Sequence, residues 1–292
     1  MTDIARPSAI LLATDLSARS DRATDRALQL AADWGATLVA LTVLPQENSF
    51  SRTNRFLEEG EEPAEEDSPA AILERRLRQT IGDTDVPVQV RIGTGDVGAN
   101  AKRVAEETGC GLIVTGLASS DVRGQARLGS SVLWLVRNSD MPVLVVHQRP
   151  RQAYRHIAVA SDFSPAAADA LRLADSWWPQ REALTVVHGY DVPHSVMAAN
   201  DARRNELLQV AAADADAEAR EHLQEVLPGR DDVTALTALA NPVRLARHQV
   251  DHGGAELLVM ASHGRSRLMD KLVGSVAQRL LETANTDTLV VR

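Results

Sequence analysis

Residues 257–276, LLVMASHGRSRLMDKLVGSV, hold the densest set of groups that could bind an anion. An apolar, strand-like run from Leu257 to Met260 leads into Ala261-Ser262-His263-Gly264. Basic residues follow (Arg265, Arg267, Lys271), and Gly274-Ser275 then opens an amphipathic helix. At a helix N-terminus the first N–H groups have no intrahelical partners, and the macrodipole adds roughly half a positive charge. Gly264 lets the backbone turn, or approach a ligand where a Cβ would clash. Ser275 can cap the helix or donate to a phosphate oxygen. Residues 112–132, LIVTGLASSDVRGQARLGSSV, repeat the arrangement with Gly116, Ser119, Gly129 and Ser130. In both copies nine residues separate the third small residue, Ser119 or Gly264, from the Gly-Ser pair. A lone glycine pattern says little; two copies at one spacing, each after a buried-strand run, say much more.

The elements that must position these loops come in a repeated order. AILLATDLS (9–17) is answered by HIAVASDFS (156–164). Asp162 follows Asp15 by 147 residues and Gly274 follows Gly129 by 145, so the offset holds across the unit and marks an internal duplication. In the first copy the apolar run ending at Asp15 is followed by Ser17 as an N-cap. A helix from Ala23 to Trp34 is closed by Gly35, and a second strand covers Thr37–Leu44. Such a strand–helix–strand unit implies parallel strands joined by a right-handed crossover. EEGEEPAEED (58–67) reads as a solvated acidic loop. A helix over 70–81, a strand over 86–92, a helix from Asn100 to Thr108, a strand at 111–116, a helix after Gly129 and a strand at 142–147 complete the copy. Gly93, Gly95 and Gly98 lack the spacing of a dinucleotide fingerprint and read as a strand-to-helix turn.

The second copy places helices at 166–177, 202–226 and 242–250, and strands at 183–187, 233–239 and 288–291. A polar segment runs to about Asn200. The expected fold is therefore α/β: two similar five-stranded, mostly parallel, doubly wound domains, residues 1–149 and 150–292. In open α/β sheets ligands sit beyond the C-terminal strand ends, where strand order reverses. Asp15 and Asp162 can meet the Gly/Ser loops there and accept hydrogen bonds from ribose hydroxyls. The alternative is that each Asp caps the helix that follows it.

With 292 residues, 44% of them hydrophobic, the chain can fill two ordinary cores, and aromatics at 3% leave those cores to Ala, Val, Leu and Ile. A formal charge of −9 argues against broad binding to nucleic acid or anionic membranes. The single cysteine, Cys110, excludes an intrachain disulfide and reads as a core residue. The opening MTDIARPSAI has no signal-peptide pattern and no apolar run approaches a membrane span, so a cytosolic protein is expected. His188 and His194 lack partners at zinc-ligand spacing, His263 reads as a turn histidine, and Trp177-Trp178 as a helix end against the core.

These motifs, ATDLS and ASDFS with the paired Gly loops, resemble those of tandem universal stress proteins, with two UspA-type domains in one chain. ASHGRSRLMDKLVGSVAQRLL (261–281) and the final TLVVR are very close to that family's pattern. The resemblance implies a Rossmann-like, adenine nucleotide alpha hydrolase-like fold that binds ATP or AMP, with Mg²⁺, in the stress response. It implies nucleoside contacts from Asp15 and Val43, and from Asp162. Phosphate and ribose contacts fall to Gly116, Ser119, Gly129 and Ser130, and to Ala261, Gly264, Gly274 and Ser275. Each copy departs once: Ser119 and Ala261 stand where the family has glycine. Of the two, Ala261 is the milder departure, which favours the C-terminal site. Arg265, Arg267 and Lys271, with Arg123 and Arg127, would neutralise triphosphate charge. The resemblance also implies an intramolecular pseudo-dimer through the last strands, a homodimer of such chains, and a protein partner that the sequence does not name. No Walker loop or Gly-x-Ser-x-Gly elbow is present, so catalysis is limited to slow ATP hydrolysis. The alternative from another class is a nucleotide-independent scaffold.

Overall fold

The computed structural model describes residues 4–44, 68–117, 119–120, 126–264 and 273–292, with the backbone alone at 119, 120, 126 and 127. The acidic run 58–67, the side chains of Ser119 and Arg127, and Arg123, Arg265, Arg267 and Lys271 lie outside the described residues. The chain divides into two compact units. One covers Arg6–Ala153; the other covers Tyr154–Arg292 together with Met1–Ala5.

The first unit runs β1 (Ala9–Ala13), α1 (Asp21–Trp34), β2 (Thr37–Leu44), α2 (Pro69–Ile81), β3 (Val88–Thr94), α3 (Val97–Glu107) and β4 (Leu112–Gly116). A two-residue antiparallel pair, β5 (Ser119–Ser120) and β6 (Ala126–Arg127), precedes α4 (Ser130–Asn138) and β7 (Val143–Val146). The five main strands are parallel in the order β3-β2-β1-β4-β7. β1 and β4 are apolar at successive positions because both of their faces are covered, as the continuous burial of Ile10–Leu12 and Leu112–Val114 shows. α1 buries Ala23, Ala27, Leu30 and Ala31 at helical spacing and ends at Gly35, whose φ of 64 only glycine adopts without strain. Its start differs from expectation. The cap position belongs to Ser20, not Ser17, and the helix begins at Asp21. Ser17 donates its N–H to Asp15 at 3.0 Å and its carbonyl accepts from Ser20 N–H at 2.8 Å, so a turn precedes the helix. The glycines at 93–98 form the strand-to-helix turn, with Gly95 at φ 96 and Asp96 capping α3 through Ala99 N–H at 2.7 Å.

The second unit runs β8 (His156–Ala160), α5 (Pro165–Trp177), β9 (Ala183–Tyr190), α6 (His194–Met197), α7 (Asp201–Val226), β10 (Val233–Leu239), α8 (Pro242–Asp251), β11 (Leu257–Ala261), α9 (Ser275–Thr283) and β12 (Asp287–Val291). Its strands are parallel in the matching order β10-β9-β8-β11-β12. Ser164 caps α5 as expected, accepting from Ala167 N–H at 3.2 Å, and Pro165 supplies the fixed φ that suits a first helical residue. β9 extends three residues past Val187 because β10 pairs with it through Tyr190, and the polar segment holds the short α6. α7 buries one narrow stripe, Ala215, Ala219, His222 and Val226.

Ala, Val, Leu and Ile fill both cores, and Cys110 is buried in the first with its thiol pKa pushed up by that burial. Large rings gather at the end of α5. Trp177 and Trp178 are buried edge to face, and Tyr154 meets Trp178 while donating to Asp287 at 2.6 Å. Trp177 Nε1 and Ser176 Oγ donate to the carbonyls of Ala5 and Ile4, so the first described residues of the chain pack with the second unit.

Arg181, with a side chain 1% exposed, ties α5 to the start of β10. It donates to Asp175 Oδ1 at 2.6 Å, to Asp232 Oδ2 at 3.2 Å, and to the carbonyls of Trp178 and Asp175. Hydrogen bonding from Arg230, helped by its charge and that of Arg181, holds the Asp232 pKa down to about 2. Because that lies below the ordinary 3.8, its contribution to stability is complete above about pH 4 and fades as the pH falls toward 2. Replacing Arg181 with Met takes one donor from each carboxylate and leaves the Asp175 carbonyl without its donor, while Trp178 O keeps the backbone N–H of residue 181 at 3.2 Å. Urea unfolding of Arg181→Met is expected to show a loss of about 2–4 kcal/mol.

Candidate functional site

Three strands of the second unit are in register where β8 ends, with β9 running three residues further. Ala160 at the end of β8 pairs with Val187 on β9 and Met260 on β11. β8 is the strand from which the order departs in both directions, so the loops leaving it and β11 border one crevice. That crevice is a cleft of about 340 Å³, and Asp162, Ala261, Gly264, Gly274 and Ser275 all line it. Every candidate from the second copy therefore reaches one place.

Asp162 ends the β8 turn. Its Oδ1 accepts Ser164 N–H at 3.1 Å, two residues on, while the helix cap is made by Ser164 itself. Of the two readings of this residue, helix capping is thus removed. Gly264 faces the same carboxylate: a Cβ built there would lie 2.4 Å from Asp162 Oδ2, so any side chain at this position would have to push the carboxylate aside. Across the cleft Gly274 takes the N-cap position of α9, its N–H donating to Ser262 O at 2.9 Å. Ser275 is the first helical residue and not the cap, so its hydroxyl is not committed to the helix amides. Gln278 makes the first return bond to Gly274 O, which leaves the N–H groups of Ser275, Val276 and Ala277 without intrahelical acceptors at the cleft. A carboxylate at one wall and a helix N-terminus at the other can hold a ligand with a hydroxyl donor at one end and negative charge at the other.

Beneath Asp162, Phe163 is flanked by two imidazoles, His188 at 4.2 Å between ring centres and His222 at 4.9 Å. His188 Nδ1 lies 2.9 Å from Ser161 O; a carbonyl only accepts, so Nδ1 carries the proton. His222 is 8% exposed, and its Nε2 is buried without a hydrogen-bond partner. Burial pushes its pKa down. Glu225 and, more weakly, Glu218 and Asp162 pull it up, while Arg172 opposes them. His263, the expected turn histidine, has Nδ1 2.7 Å from Ser262 Oγ at the cleft wall.

In the first unit Asp15 follows β1, Gly116 ends β4, Gly129 is the N-cap residue of α4 and Ser130 its first residue. Ala13 pairs with Leu41 and Thr115, so Val43 stands on β2 two residues past that level. The same count from Val187 arrives at Gly189, the counterpart that the motif reading passed over; only the register of the duplicated strands identifies it. A Cβ on Gly189 would fall 2.6 Å from Ala240 O, so here too the backbone must come close. Pro242 and Leu280, apolar residues with no motif to mark them, close the cleft on the same side as α8 and α9.

The sequence model of the universal stress protein family matches residues 8–147 and again 153–292. Among solved structures, a functionally unknown protein from Pseudomonas aeruginosa PAO1 aligns over 98% of this chain and 92% of its own, at 17% identity and a TM-score of 0.69. A putative universal stress protein from Pseudomonas aeruginosa UCBPP-PA14 covers 98% and 93% at 18% identity and 0.67. A universal stress protein from Archaeoglobus fulgidus covers 97% and 96% at 16% and 0.60. At such identities the likeness is one of fold. A search of curated proteins found no match. Among the described residues no helix is long and apolar enough to cross a membrane.

Two outcomes follow from this geometry. Gly264→Ala is expected to turn the Asp162 carboxylate aside, read as a shift of its carboxyl ¹³C resonance, with less than about 1 kcal/mol of stability lost because a side-chain end can move. Because folded His222 resists protonation, the unfolded chain binds more protons below about pH 6.5, so stability falls as the pH drops from there. Melting temperatures measured from pH 8 to 5 should show a shallower acid slope in His222→Leu.

Proposed function

The chain belongs to the universal stress protein family, and from that premise we propose that it is an adenine-nucleotide-binding regulatory module of the cytosolic stress response, with the nucleotide held in its second unit. The observation that carries this reading is the convergence of Asp162, Gly264, Gly274 and Ser275 on one cleft. Asp162 would accept a ribose hydroxyl, and the backbone of Gly189 would meet the base, as the resemblance assigns to its counterpart Val43. Phosphates would lie on the free N–H groups of α9 and the Ser275 hydroxyl, where the helix dipole favours negative charge. The cleft fits such a group in size and in donor set. Among the described residues Asp162 is the one acidic side chain in its lining, so Mg²⁺ would arrive bound to the triphosphate. The side chain of Ala261 lies at the same wall and narrows the cleft relative to a glycine there.

Occupancy is the regulated quantity in this reading. Filling the cleft would add a direct link between the β8 turn and the start of α9.

Calorimetric titration with Mg·ATP tests it. Among the described residues a Cβ at position 274 would meet only Ser262 O, at 3.6 Å, so Gly274→Val is expected to fold with little strain while adding bulk at the cleft wall. Binding is expected in the wild type and at least a tenfold loss, about 1.4 kcal/mol, in Gly274→Val. No heat and no thermal shift at millimolar ATP would overturn the reading and leave the cleft to a nucleotide-independent scaffold.

A further inference from the structure

The strand orders of the two units begin at different kinds of edge, β3 in the first and β10 in the second. An edge strand carries N–H and C=O groups without ladder partners, a template for pairing unless something blunts it. In β3 the blunting is visible. Gly95 N–H donates to Leu44 O at 3.0 Å, so by alternation the odd-numbered residues of β3 face β2 and Val90 O points to the free side. Arg91 Nη1 donates to that carbonyl at 3.2 Å, and Nη2 to Gln89 Oε1 at 3.3 Å. A guanidinium thus occupies the edge of the first unit.

β10 has no such device. VTALTAL (233–239) contains no charged residue, proline or glycine. Ala240 N–H donates to Tyr190 O at 3.2 Å, so the even-numbered residues face β9. Val233, Ala235, Thr237 and Leu239 therefore turn their N–H and C=O groups outward. Among the described residues none of those outward groups has a hydrogen-bond partner. The side chain of Ala235 is exposed, and Leu239 is 39% exposed. Asp216 of α7 accepts from Thr237 Oγ1 and stands over one face of the strand.

What completes such an edge is another strand, and β10 is complementary to itself. A second β10, turned antiparallel so that all seven residues overlap, sets Leu236 on a twofold axis opposite its own copy. Ala235 then meets Thr237, and Val233 meets Leu239. These are the residues whose backbone groups face outward, so donors meet acceptors, and Leu236 falls in a non-hydrogen-bonded pair. Just before the strand, Asp231 and Asp232 come opposite Asn241 and Ala240, so no like charges are directly opposed.

We propose that β10 is a homodimer strand, through which two copies of the chain pair edge to edge over residues 233–239. The family resemblance implies a homodimer of such chains; this edge gives it a surface. The inference is independent of the nucleotide reading. One strand pair buries little, at or below about 1,200 Å², so association is reversible and grows with protein concentration.

Sedimentation velocity on the full chain, from micromolar to millimolar protein, is expected to pass from the mass of one chain to that of two. Ala235→Pro removes only an outward N–H, which an edge strand tolerates, and should weaken the dimer at least tenfold. Leu236→Cys reads the position directly. Across a non-hydrogen-bonded antiparallel pair the Cα atoms lie about 4.5 Å apart, within disulfide reach, so mild oxidation should link the chains in pairs. The native Cys110 is buried, and Arg91→Cys on the β3 edge is the control that should stay single. A wild type that stays monomeric at millimolar concentration overturns the proposal and leaves the edge to a strand of another protein. A dimer that Ala235→Pro leaves intact, or that Leu236→Cys traps no better than Arg91→Cys, overturns it as well.

Discussion

The pairing of the first strand of each unit with both the second and the fourth is the constraint on which the rest depends. A central parallel strand is covered on both faces, so it must stay apolar until the sheet ends, and its first polar side chains appear where the neighbouring strands end too. Ile157–Val159 and Leu257–Met260 are buried in adjoining rows, and the pairing of Ala160 with Val187 and Met260 fixes their ends at one level. A slip of one residue would turn every side chain of β8 to the opposite face. Asp162 and the Ser262–Gly264 loop thus face one another because the core permits no other register.

The order and type of the elements were legible in the sequence because each has its own period and punctuation. Strands are unbroken apolar runs, helices carry buried residues three or four apart, and Ser164-Pro165 and Gly35 mark a start and a stop. Asp162, Gly264, Gly274 and Ser275 could be named because the loop is duplicated at one spacing. What could not be read depends on contacts between distant residues. Nothing local shows that Ser17 yields its cap position to Ser20; in retrospect, the missing proline after Ser17 is the one hint. Gly189 carries no motif, and its role is visible only in register. Docking of Ile4 and Ala5 on α5 needs the folded surface of Ser176 and Trp177.

Scarcity of aromatics shapes how the units are fastened. Alanine-lined helices such as α1 and α5 sit close to the sheet, but small side chains bury little area each. Polar ties supply specificity where bulk is lacking. Arg181 joins a helix end to a strand start, and Tyr154 reaches the buried Asp287. One of the few rings, Phe163, lies between His188 and His222 and supports the turn that carries Asp162.

That turn has a thermodynamic meaning. A non-glycine residue at positive φ is strained by about 1–2 kcal/mol, and Phe163 is kept there by its ring contacts and by the amide bond to Ser161 Oγ at 3.0 Å. The strain is met once, during folding, so in the proposed reading the carboxylate would already be fixed before association and little conformational entropy would remain to be lost. Leu16 holds the same dihedral in the first unit without a comparable pair of imidazoles, supported by Thr14 Oγ1 at 3.1 Å. The two units therefore brace the same strained turn by different means, an aromatic column in the second and, in the first, the packing of Leu16 against Ala40, Leu77 and Ile81.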